Sequence, residues 1–137
     1  MLKGRLEKLC EQFPTKQDCL RHLEQLRWGG IPICPYCQSL KQTSLENECR
    51  YHCNECNTSY SVTAKTVFHK SKVDLRKWFF LIDMVSRRSK MPSVREMAMR
   101  LNVNRNTACY TAMRLRCATL SDRELIERVT KTLLLEE

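Results

Sequence analysis

The chain has 137 residues, of which 24 are Lys or Arg and 15 are Asp or Glu, for a formal net charge of +9. That length suits one domain or two small ones and excludes large catalytic architectures such as a complete α/β barrel. The 42% hydrophobic and 28% charged content is that of a globular chain, not a disordered tail, and the basic excess points to a polyanionic partner.

The charge is uneven. Residues 1–60 balance at +1, residues 61–118 at +10 and residues 119–137 at −2, so the partner-facing surface is expected in the third quarter of the chain and its flanks. Cysteine is abundant, with nine residues, an odd number that forbids complete internal pairing. Residues 1–10 alternate charge with Leu and hold no apolar run suited to secretion. The longest apolar run, residues 78–82, is far too short to span a membrane. A reducing, cytoplasmic setting follows, in which clustered cysteines imply metal.

The expected fold is α+β and mostly helical, with a small β zinc ribbon between N-terminal helices and a C-terminal helix-turn-helix bundle. Four segments are expected: N-terminal helices over 1–30, the ribbon over 31–68, the helix-turn-helix domain over 69–120 and an amphipathic helix over 121–137. Leu2, Leu6, Leu9, Cys10 and Phe13 recur at helical spacing until Pro14 ends the run. Thr15 with Asp18 resembles a capping box opening a second helix, whose apolar stripe is Cys19, Leu20, Leu23 and Leu26 and whose exit is Gly29-Gly30. His22 falls on the polar side of that helix, which predicts a surface histidine.

The ribbon segment carries Cys34-Pro35-Tyr36-Cys37 and, fifteen residues later, Cys53-Asn54-Glu55-Cys56. Two residues between cysteines let one tight turn aim two thiolates at one ion, and two such turns complete a tetrahedral site. Thiolates suit zinc; an iron–sulfur cluster is the alternative. Four thiolates leave no open position for water, so one structural Zn2+ is expected. Gln38 and Asn57 stand where such turns often place Gly, and Asn tolerates the left-handed backbone better than Gln. Cys49 and His52 flank the second pair and are not expected to ligate. Residues 50–52 and 59–63 read as short strands, and Cys10, Cys19, Cys109 and Cys117 as packed or half-exposed helical residues.

From Asp74 the pattern is helical again, with Leu75, Trp78, Phe79, Ile82 and Val85 on one face, ending in Arg87, Arg88 and Lys90. Ser93 with Glu96 makes a capping box for a helix to about Leu101, with Val94, Met97, Ala98 and Leu101 inward. After the turn at Asn102-Val103-Asn104, a helix to about Ala118 turns Ala108, Thr111, Ala112 and Leu115 inward and Asn106, Tyr110 and Arg114 outward, with Arg105 exposed in the first turn. Small Ala98 and Ala108 let the two helices cross closely. This is the layout of a helix-turn-helix. Ser121 with Glu124 opens a last, acidic helix with Leu125, Ile126, Val129 and Leu133, which can pack on the core, pair with a copy of itself or meet a catalytic partner.

The motif order is Arg27-Trp28, a CPxC knuckle, Tyr51 to Cys56, Ser61-Val62-Thr63, Thr66-Val67-Phe68-His69 and Leu75 with Trp78-Phe79, then a helix-turn-helix. It resembles the N-terminal region of zinc-ribbon insertion-sequence transposases, relatives of the Merlin transposons, over roughly residues 13–118. The resemblance implies that ribbon and helix-turn-helix bind transposon ends. It also implies that the first acid of the RNase H-like domain would lie at or beyond Glu137. The expectation is a non-enzymatic, nucleoid-associated protein that binds double-stranded DNA. Arg105, Asn106, Tyr110 and Arg114 would lie nearest the bases, and Arg87, Arg88, Lys90, Arg95, Arg100, Lys65, Lys70 and Lys72 against phosphates. An adaptor that docks on a separate catalytic protein, and a nuclease completed by another chain, are the competing readings.

Overall fold

The computed structural model describes residues 5–45, 49–69, 71–86, 91–118 and 120–135. Among these residues it contains six helices and one three-stranded sheet: α1 (Arg5–Gln12), α2 (Lys16–Trp28), β1 (Gln42–Leu45), β2 (Arg50–Cys53), β3 (Ser59–Tyr60), α3 (Leu75–Ser86), α4 (Val94–Leu101), α5 (Arg105–Arg116) and α6 (Leu120–Leu135). The mostly helical α+β architecture expected from the sequence is the one observed.

Local signals place most helix ends. The Thr15 hydroxyl accepts from Asp18 N (3.2 Å) while the Asp18 carboxylate accepts from Thr15 N (3.0 Å), a reciprocal box that satisfies two orphan donors of α2. Gly29, at φ 64°, ends α2 in the left-handed region, its N–H donating to Gln25 O. Ser93 and Asn104 cap α4 and α5 by accepting from Glu96 N and Thr107 N. α6 begins at Leu120, so Ser121 stands inside the helix and not before it.

α3 is the centre of the molecule. Leu75, Trp78 and every residue from Phe79 to Met84, Asp83 included, are buried, because α1, α2, α4 and α6 all pack on this one helix. A helix that is apolar nearly all round must be covered nearly all round. The sequence expectation of a single apolar face was too narrow. The covering stripes are Leu9 and Phe13, then Leu20 and Leu23 from α2, Met97 and Leu101 from α4, and Leu125, Val129 and Leu133 from α6. The stripe of α6 therefore lies in the core, which is the first of the three fates considered for it.

His22 is the clearest departure from expectation. It is half-buried, its ring 5.0 Å from Phe13 and 6.1 Å from Phe79, and its Nε2 is buried with no hydrogen-bond partner among the described residues. It sits where the α1–α2 turn folds onto α3, so what looked like a polar helix face is an aromatic pocket supplied by distant residues. Burial holds its pKa below the ordinary histidine value.

The sheet runs β1-β2-β3, antiparallel throughout, with Thr43 opposite His52 and Tyr51 opposite Tyr60. Its small core is Cys34, Cys53, Tyr60 and Ala64, flanked by Trp28 and Tyr51. β1 gave no sequence signal, since its Thr43, Ser44 and Leu45 are all exposed and backbone pairing alone defines the strand. Residues 61–69 form overlapping turns where a strand was expected as far as 63: Ala64, Thr66 and His69 each donate their N–H to the carbonyl three residues back, as does Ser71. Val62, Val67 and Phe68 of this run are buried, so it passes between ribbon and helices instead of extending the sheet.

Candidate functional site

The two cysteine turns are built alike. Gln38 N donates to Cys34 O and Cys34 N to Ser39 O; Asn57 N donates to Cys53 O and Cys53 N to Thr58 O, all at 2.9–3.0 Å. Gln38 (φ 67°) and Asn57 (φ 58°) both occupy the left-handed region, so each turn takes the conformation a Gly would take and pays the side-chain strain at Gln38. In each turn the first cysteine is buried and the second exposed.

The four Sγ atoms of Cys34, Cys37, Cys53 and Cys56 lie within 4.8 Å of one another. Cys34 Sγ is 3.7 Å from Cys56 Sγ, and Cys37 Sγ is 3.4 Å from Cys53 Sγ. A tetrahedron with zinc–sulfur bonds of about 2.3 Å has sulfur–sulfur edges of about 3.8 Å, so the donor set fits one zinc ion. The backbone N–H of Cys56, with that of Glu55, draws the Cys53 thiol down to about 7, while, against the backbone N–H of Ser39, desolvation and the neighbouring thiols push the Cys37 thiol up to about 12, so the first thiolate of the set forms at Cys53. The Tyr60 hydroxyl, buried beside the thiols, is pushed up to about 12 by burial and then by their charge. Cys49 lies instead against the main core, at φ 52°.

The ribbon is tied to the helices through its exit loop. Arg27 Nη1, on α2, donates to Val62 O (2.6 Å) and Ala64 O (2.9 Å). Asp122, buried in α6, accepts from Val67 N (3.0 Å). Tyr51 donates to Glu24 Oε2 (2.7 Å), and Trp28, Tyr51 and Tyr60 meet with ring centroids 5.8–6.0 Å apart. None of these hydrogen bonds had a sequence signal, because each joins residues at least 27 apart.

α4 and α5 pack against each other, and the small residues expected between them are buried. Ala98 and Ala108 are buried, Val103 packs on the core, and Asn102 (φ 56°) turns the chain with Val103 N donating to Ala98 O. Thr111 and Ala112 are buried, while Arg105, Asn106 and Tyr110 are exposed, as the helical wheel predicts. Arg95 and Arg100 are exposed, the latter 3.2 Å from Glu96, and Lys72 is exposed on the loop before α3. Lys65 is stacked over the Tyr36 ring at 5.2 Å. Arg114 departs from its predicted outward position. Its Nη1 donates to His69 O (2.5 Å) and Tyr110 Oη (2.9 Å), its Nη2 to Thr66 O (3.3 Å), and its guanidinium lies 5.7 Å from the Tyr110 ring. Lys70, Arg87, Arg88 and Lys90 lie outside the described residues.

Fold and site together define a four-cysteine zinc ribbon docked on a helical body. Residues 14–59 match the transposase zinc-ribbon domain family. The chain is also similar to an uncharacterized protein in transposable element ISH50 of Halobacterium salinarum, 32% identical over 73 residues that cover 51% of this chain and 25% of that protein. The matched part of the chain thus spans about a quarter of that relative's length. No solved structure matches. Among the described residues, no helix is long and apolar enough to cross a membrane.

Proposed function

We propose that the protein binds duplex DNA without performing chemistry on it, and that α4, its turn and α5 act as a helix-turn-helix. The observation that carries this reading is the exposed, hydrogen-bond-rich face of α5: Arg105, Asn106 and Tyr110 stand outward from a helix whose opposite side is buried Ala and Thr, within the +10 segment, beside a ribbon of transposase type. A helix so presented fits the major groove, where Arg can pair bidentately with guanine and Asn with adenine. Arg95, Arg100 and Lys72 neutralise phosphates in this reading, as do Lys70, Arg87, Arg88 and Lys90 on sequence grounds. Arg114 is the residue that aims Tyr110. Zinc holds the ribbon's shape, and the four segments of the chain act as one reader. On this reading the protein resides on the cytoplasmic nucleoid.

The test is equilibrium binding of the zinc-loaded protein to duplex DNA across a salt series. Affinity should fall with a log–log slope of about −0.9 per phosphate contacted. Arg105→Ala and Asn106→Ala should each cost about 1–3 kcal/mol and relax the base preference at one position. Salt-independent binding, or unchanged preference in both variants, would overturn the reading.

A further inference from the structure

Three depressions lie end to end and share walls. The first is lined by Thr15, Lys16, Gln17, Leu20 and Arg50. Lys16, Leu20 and Arg50 also line a trough of about 830 Å³ whose other walls include Tyr36, Ser61, His69, Ser71 and Lys72. Lys72, Val73 and Asp74 carry that trough into a third hollow of about 650 Å³ that reaches Asn104, Asn106, Thr107 and Tyr110 at the start of α5. The three depressions adjoin through these shared lining residues, and their row, the channel, runs from the N-terminus of α2, past β2, to the proposed reading helix.

Its chemistry is that of a site for a polyanion. Lys16, Arg50 and Lys72 are exposed along it, and Lys77 lines its last part. The carboxylate in its wall, Asp74, is held by Arg76 through contacts of 2.7–3.2 Å, which hold its pKa below the ordinary carboxylate range and remove most of its repulsion for an anion. Lys16 is the first residue of α2, where the helix dipole disfavours a cation and favours an anion in front of it. Ser71 supplies an oriented donor. Its Oγ accepts from Trp78 Nε1 (2.9 Å) and Val73 N (3.1 Å), so both lone pairs are engaged and the hydroxyl proton is what it can offer.

We propose that this channel holds the phosphodiester backbone of the duplex that α5 reads, with Lys16, Arg50 and Lys72 on successive phosphates and the Ser71 hydroxyl donating to one of them. The ribbon and α2 thereby extend the footprint beyond the helix-turn-helix. The inference rests on the DNA-binding reading above. Along the trough the cations and hydroxyl donors favour phosphate over bases, since among its described lining residues the one exposed aromatic ring, Tyr36, is covered by Lys65; the exposed Tyr110 lines the last hollow and belongs to the reading helix.

The test compares wild type, Lys16→Gln/Arg50→Gln and Asn106→Ala, all zinc-loaded, on one duplex trimmed stepwise from the end beyond the α5 site. The Lys16→Gln/Arg50→Gln protein should lose about 1.8 from the magnitude of its log–log salt slope, at about 0.9 per contact, and keep its base preference. Wild type should weaken as the duplex is shortened, and the double variant should not. A folded double variant with wild-type slope and wild-type length dependence overturns the channel while leaving the α5 reading intact. Loss of binding to a hairpin RNA but not to the duplex overturns it in favour of RNA. Wild-type protein that ignores the duplex altogether overturns both.

Discussion

Replacing Arg114 with alanine removes one cation from three acceptors at once. His69 O and Thr66 O lie on the turn run that leaves the ribbon, and Tyr110 Oη lies one helical turn back on α5. Hydrogen bonds from a charged donor contribute about 1.5–3 kcal/mol when one partner is removed, but the Tyr110 bond is exposed and contributes little. The two carbonyl contacts are part-buried, and water reaches the gap left by the truncation. About 2 kcal/mol of destabilisation is therefore expected, or about 8 °C in Tm for a chain of this size. Arg114→Lys should recover only part of it, because an ammonium cannot present the planar fork that reaches both carbonyls. The assay is thermal unfolding of the zinc-loaded protein with no DNA present. If Arg114 instead read a base as the helical wheel suggests, the Ala variant would melt like wild type and lose base preference. That outcome would refute the assignment of Arg114 as the tie between α5 and the ribbon.

Two further results follow from the same geometry. Native mass spectrometry should find one zinc per chain, and Cys53→Ser should lose it; because the ribbon's core of Cys34, Cys53, Tyr60 and Ala64 is separate from the main one, far-UV helical signal should largely survive. Complete loss of helix on chelation would show the two cores to be one folding unit. Burial lowers the folded-state pKa of His22 below its ordinary 6.5, so the neutral ring is the form the fold favours. Its contribution is fully present above about pH 6.5 and declines as pH falls through that value toward the folded pKa. Wild type should lose stability as the pH falls below about 6.5, followed by denaturant titration, and His22→Leu should lose less; equal losses would place the titration elsewhere.

The metal centre was legible in the sequence because its chemistry is local. Two CxxC turns fold through hydrogen bonds four and five residues long, so spacing alone announces which atoms converge. The caps at Thr15 and Ser93, the exit at Gly29 and the inward face of α5 were legible for the same reason: each depends on neighbours within one or two helical turns. What tertiary structure decided is whatever a partner far along the chain imposes. β1 exists because β2 pairs with it, and nothing in its own side chains asks for a strand. His22 is an aromatic-pocket residue because Phe13 and Phe79 close around it. Arg114 is turned from solvent to the ribbon because two carbonyls 45 and 48 residues away lie within its reach. The +10 of residues 61–118 was likewise visible as a number. Its continuation through Lys16 and Arg50, from the near-neutral half of the chain, is a property of the folded surface, since charge acts through space and not along the sequence.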